Sequence, residues 1–152
     1  MPPSAYNGIV IYYALCWASA QVEDDLDAVY QHDEADGLYL DNLFDVLEEN
    51  QAIRQALAAG RFRQIEDPRF DAAALEWGKR WGYNLYYLKM WRPDGVLLPV
   101  RLIYGVNHLP PKPAIWVLGL MQRSDDYAEH SEFAKRIRRD YDGYGIPRWR
   151  QH

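Results

Sequence analysis

Ile9 to Ala14 is an unbroken run of β-branched, aromatic and small residues, the pattern of a buried strand. Val22, Leu26, Val29 and Tyr30 then recur at helical spacing, with Glu23, Asp24, Asp25 and Asp27 in the first turns, where carboxylates favour the positive end of the helix dipole. Asp36-Gly37 reads as a turn, and Leu40, Leu43, Phe44 and Leu47 form a second apolar stripe. Asn50 is suited to cap a short helix that ends at Ala59, with Gly60 supplying a left-handed stop. Residues 22 to 60 therefore predict a helical hairpin with an added turn or two. Arg61 to Phe70 reads as extended, and Ala72 to Arg80 as a short helix closed by Gly82.

The period changes after that. Tyr83 to Trp91 is rich in aromatics, and Arg92-Pro93-Asp94-Gly95 is a strong turn, because Pro presets the second position and Gly tolerates positive φ. Val96 to Val106 returns as a strand with Pro99 near its beginning, Asn107 to Pro113 is a loop, and Ala114 to Met121 is a third, nearly continuously apolar strand suited to the sheet interior. Ser124 to Asp126 is expected to open a last helix running to about Asp142, followed by an irregular tail. A strand, a helical hairpin, a three-stranded antiparallel meander and a C-terminal helix make an α+β fold. At 152 residues one domain, 1–152, accounts for the whole chain.

Composition adds a charge asymmetry. Residues 1 to 50 hold eleven Asp or Glu and no Lys or Arg, so all seventeen basic residues fall later, against eleven further acids. That leaves the later two thirds about +6 by counting, a hint of a polyanion-binding face that a solvated polar surface would equally produce. Cys16 is the only cysteine, which excludes an internal disulfide and a Cys-rich zinc site and fits a reducing, cytoplasmic setting. Its apolar surroundings favour an inert thiol. Ile9 to Ala20 superficially resembles a signal-peptide core, yet no Lys or Arg precedes it and its apolar run is too short to span a bilayer, which takes about 20 residues. No set of His and carboxylates recurs at ligand spacing, so no metal or other cofactor is expected.

Three segments carry a resemblance: Tyr83-Asn84-Leu85-Tyr86-Tyr87-Leu88-Lys89, then Arg101-Leu102-Ile103-Tyr104-Gly105-Val106, then Leu118-Gly119-Leu120-Met121-Gln122-Arg123-Ser124-Asp125-Asp126-Tyr127. In order and spacing they resemble the three-strand core and exit loop of the RelE/ParE toxin superfamily, with the similar core covering about residues 83–141. The resemblance implies a twisted sheet cradled by a helical hairpin, and neutralisation by a cognate antitoxin. RelE-like members are ribosome-dependent endoribonucleases that cut mRNA, whereas ParE-like members poison DNA gyrase without hydrolysis.

Cleavage of RNA through the 2′-hydroxyl needs a proton acceptor, cations for the charge developing on phosphate, and an acid for the leaving oxygen. Arg101 could hold phosphate, Arg123 could stabilise the developing charge, and Tyr127 could stack on a base or move a proton, with Lys89 as a further cation. The same residues also fit plainer roles: outward charges on a sheet for Lys89 and Arg101, a helix entry for Arg123 and Tyr127. Lys135, Arg136, Arg138 and Arg139 on the last helix, with Arg148, Trp149 and Arg150 beyond it, are the densest basic cluster and a candidate nucleic-acid surface. Met121 and Gln122 depart from the basic sheet face of ribosome-dependent relatives, which keeps a non-catalytic binding protein on the same fold as the alternative. His130 would be a proton carrier only if it faced Arg123 and Tyr127. The acidic helices at residues 22 to 49 are expected to lie away from the Arg101 and Arg123 face, since their repulsion of phosphate fades beyond a Debye length of about 8 to 10 Å.

Overall fold

The computed structural model describes residues 5–6, 9–61, 67–122 and 128–148. Its first ladder is minimal, with β1 (Ala5–Tyr6) antiparallel to β2 (Ile9–Val10). The strand that joins the main sheet is β3 (Ala14–Trp17), later than the expected Ile9 to Ala14. The reason lies in Ile11 and Tyr13, whose carbonyls are taken by side chains of the helical layer: Arg54 Nε donates to the Tyr13 carbonyl at 2.7 Å, and Gln55 Nε2 to that of Ile11.

Three helices follow: α1 (Ala20–His32), α2 (Glu34–Glu49) and α3 (Gln51–Ala59). Each N-cap is a short polar side chain that accepts from the first turn: Ser19 from Gln21, Asp33 from Asp36, and Asn50 from Ile53. Gly60 closes α3 with φ of 72°. The turn expected at Asp36-Gly37 is instead the first turn of α2, and the chain reverses at Asp33. Gly37 is there for packing, because a Cβ on it would meet the Tyr30 ring of α1 at 2.5 Å.

The main sheet has five strands in the order β3-β7-β6-β5-β4, where β4 is Phe70–Ala74, β5 Leu85–Met90, β6 Val100–Asn107 and β7 Ala114–Gln122. The expected antiparallel meander, β5-β6-β7, is present but flanked. β3 adds in parallel to β7, and β4 adds antiparallel to β5, so the sheet is mixed. The helix expected over Ala72 to Arg80 splits into β4 and the one-turn α4 (Glu76–Arg80). Ala72 and Ala73 favour helix intrinsically, but pairing with Leu88 and Tyr87 overrides that preference. The last helix, α5 (Glu132–Gly143), is capped by Ser131 rather than opened at Ser124 to Asp126, which lie outside the described residues.

Strand alternation sorts side chains onto two cores. Val100, Leu102, Tyr104 and Val106 of β6 join Leu40, Leu43, Leu47 and Leu57 of the helical hairpin. Ile103 faces the other way, with Leu118, Ile137 and Tyr141. Helices therefore cover both sheet faces, α1 to α3 on one and α4 with α5 on the other. A bulge sets both Leu118 and Gly119 of β7 against Ile103 of β6, pointing both at α5.

Asp25 of α1 ties the two layers together at the sheet edge. β3 pairs only as far as Val117, and beyond it the Leu120 amide donates to Asp25 Oδ2 at 3.0 Å. The same carboxylate accepts both guanidinium nitrogens of Arg136 from α5, and each side chain is about one sixth exposed. Gly119 makes room, since a Cβ there would stand 2.5 Å from Arg136 Nη2. At the far end of the sheet, His108 of the β6–β7 loop accepts or donates through Nδ1 to the Tyr13 hydroxyl at 2.8 Å, and burial pushes its imidazole below the usual value.

Arg136→Met strands a partly buried carboxylate and is expected to cost about 3 kcal/mol in urea unfolding; a loss under about 0.5 kcal/mol would contradict this account. Burial of neutral His108 makes a second outcome testable. The unfolded chain takes up the proton near pH 6.5 and the folded chain resists it, so stability is full above that pH and declines as pH falls through it. Melting between pH 7.5 and 5.5 should show the decline, and His108→Gln should flatten it; an unchanged slope would refute the assignment.

Candidate nucleic-acid interface

Lys89 of β5 and Arg101 of β6 share one face of the sheet, next to the end of the β5–β6 ladder. β5 and β6 pair from Leu85 with Gly105 to Leu88 with Leu102, and beyond that the register slips, with the Leu98 amide donating to the Met90 carbonyl and Trp91 bridging Leu97. On the outer sides, Asp71 of β4 pairs with Lys89 and Met121 of β7 with Arg101. Their neighbours Leu88, Met90, Val100 and Leu102 all enter the core beneath α1 to α3, so Lys89 and Arg101 point to the opposite face. The acidic helical hairpin is thus separated from these two cations by the thickness of the sheet. Asp25 is the exception, reaching round the β7 edge to Arg136.

The two cations differ in access. Lys89 is half-buried, its Nζ 5.9 Å from the Tyr87 ring centroid on the same face. Arg101 is only 4% exposed, and its Nη1 donates to the Leu98 carbonyl at 3.2 Å. Burial of that degree makes Arg101 a structural cation first, one that reaches a substrate only if its cover moves. Arg123 and Tyr127 lie outside the described residues.

The basic cluster of α5 divides by helical face. Arg136 is engaged with Asp25, and Arg138 donates to the Glu129 carbonyl at 2.7 Å while its guanidinium lies 5.3 Å from the Trp77 ring centroid. Lys135 and Arg139 remain outward, Lys135 in an exposed pair with Glu132 at 3.3 Å that contributes little and Arg139 at 3.8 Å from the largely buried carboxylate of Asp140. Two of the four cations therefore face outward, where a polyanion can meet them. Arg148 folds back onto Asp142 and over Tyr83, 4.0 Å from the ring centroid. Trp149 and Arg150 lie outside the described residues.

His130 precedes the Ser131 cap and borders a small pocket with Trp81, Tyr83, Arg138 and Arg148. Next to it, Glu129 accepts from Trp81 Nε1 and from Arg80, both at 2.7 Å, and these bonds hold its carboxyl below the usual range, the Trp81 bond most of all. Cys16 is half-buried and its thiol is pushed up by burial, which matches an inert cysteine. Among the described residues no cluster of His, Cys, Asp and Glu could hold a metal ion, and no helix is long and apolar enough to cross a membrane.

Two features of this face escaped sequence reasoning. Asp71 beside Lys89 was hidden because the alanines after it read as helix. The pocket bordered by Tyr87 and Trp77 depends on α4 packing against β5, which no local pattern announces; the bare alternation of Asp71, Ala73 and Tyr87, Lys89 was the available signal.

Comparison with protein-family models, with curated proteins and with solved structures returned no match for this chain.

Removing each cation should separate their roles. Lys89→Ala is expected to change unfolding free energy by less than about 0.5 kcal/mol, as surface substitutions do. Arg101→Ala should cost about 2 kcal/mol or more, because it leaves a void and frees a buried carbonyl. Equal effects in denaturant unfolding would remove the distinction.

Proposed function

We propose that this chain is an RNA-directed toxin of the RelE type, cutting translated mRNA from the sheet face that carries Lys89 and Arg101. The observation that supports this best is the shared face: two cations from the β5–β6 hairpin point away from the acidic helices, with Arg101 paired to Met121 near the end of β7. The element order also suits it, with a helical hairpin between the first sheet strand and a β5-β6-β7 meander that is followed by α5. In this reading Lys89 meets the phosphate, Arg123 stabilises the charge that develops on it, and Tyr127 packs on a base or moves a proton. Arg101 fixes the field beneath them. Such a protein would act in the cytoplasm on ribosome-bound message, under a cognate antitoxin.

A second reading has its own observation. Arg101 is almost fully buried, and Arg136 and Arg138 are spent on contacts inside the fold, which leaves fewer accessible cations than phosphate chemistry commonly uses. That pattern favours a non-catalytic binding protein of the same architecture, directed at gyrase or another protein.

Induced expression in bacterial cells, with primer extension on translated messages, separates the two. The first reading expects growth arrest with truncated mRNA, and Arg123→Ala should lower cleavage about 100-fold or more, the usual cost of one transition-state donor. Arrest with intact messages would overturn it in favour of the second, and normal growth with folded protein would overturn both.

A further inference from the structure

We infer that the cavity between β4, β5 and α4 is a pocket for a purine base whose phosphate rests at Lys89. The cavity has a volume of about 580 Å³, within the range of small-ligand sites. Its floor is Ala73 and Ala74 of β4, its walls include Trp77 of α4 and Tyr87 of β5, and Lys79 and Glu129 stand among its polar lining residues. β4 contributes only the small side chains of Ala73 and Ala74 beside α4, which packs on β5, so nothing from the strand fills the space.

Register sets the pocket beside the cation. Ala73 pairs with Tyr87, and two residues along the same strands Asp71 pairs with Lys89, both rows pointing to the α4 side. Two residues of a strand span roughly 7 Å, which suits a base and its own phosphate held apart by one ribose. Tyr87 offers a half-buried ring, and stacking on an aromatic is the sequence-tolerant way to hold a base. Trp77 is 5% exposed, held by Arg138 and by the Tyr83 ring 6.5 Å away, and so serves as a rigid wall. Lys79 supplies donors, and Glu129, fixed by Trp81 and Arg80, supplies an acceptor for base amino groups. The volume favours the larger purine.

The inference rests on the RNA-directed reading for its natural ligand, but its test does not need cleavage. Purified full-length chain is titrated calorimetrically at low salt with GMP, UMP and inorganic phosphate. GMP is expected to bind at least tenfold more tightly than phosphate and more tightly than UMP. Tyr87→Ala should weaken GMP about tenfold, the loss of one base stack, with phosphate unchanged, whereas Lys89→Ala should weaken both. Ala73→Leu, which fills the cavity, provides a second variant should Tyr87→Ala fail to fold, and should likewise lose GMP and keep phosphate. Binding of GMP no tighter than phosphate or UMP, or undiminished binding in a folded Ala73→Leu protein, would overturn the pocket. Nucleotide binding without mRNA cleavage in cells would leave the pocket standing and remove the nuclease reading; cleavage without nucleotide binding would do the reverse.

Discussion

The carboxylate of Asp25 is the point at which the layers of this protein are joined. A sheet strand whose neighbour stops early leaves backbone amides facing outward, and a buried amide without an acceptor is costly. β7 is in that position after Val117, and Asp25 satisfies the Leu120 amide from α1. The negative charge drawn to the edge is then neutralised by Arg136 from the opposite layer. One side chain thus ends the β3 pairing, positions α1 along the edge and anchors α5 over the second core. The arrangement depends on the bulge in β7, which turns Gly119 toward α5, and on the absence of a Cβ there.

That anchoring decides what the sheet can offer to a partner. α5 covers the rows that contain Ile103 and Gly105, through Ile137 and Tyr141. Lys89 and Arg101 lie farther along the same face, and α4 bounds the cavity next to Tyr87 without filling it. The helical hairpin holds its own acids on the other side, where distance across the sheet and salt weaken their repulsion of phosphate. The separation of the hairpin acids from Lys89 is therefore a result of topology, with Asp25 reaching round the edge and neutralised there by Arg136, and Asp71 standing beside Lys89 on its own face.

Local signals were legible wherever one residue type has one conformational use. Asn50 and Gly60 bracket α3 as a cap and a left-handed stop, and Arg92 to Gly95 turns the chain with Gly95 at φ of 83°. Signals failed where tertiary pairing outweighs propensity. Gly37 sits inside a helix because it makes room for Tyr30, and Ala72 and Ala73 form an edge strand because β5 needs a partner. The candidate site was half legible. Lys89 and Arg101 could be set on adjacent strands from the turn between them, but the burial of Arg101 and the engagement of Arg136 with a residue 111 positions away depend on packing that no window of sequence contains.

The central claim is that the face bearing Lys89, and not the helical hairpin, meets RNA. Chemical-shift mapping of the folded protein with a short single-stranded RNA at low salt tests it most directly. The account predicts that shifts cluster at residues 85 to 90, at Arg101 and around α4, and fade as salt rises because phosphate contacts release counterions. Shifts centred on α1 to α3, or none at low salt, would contradict it.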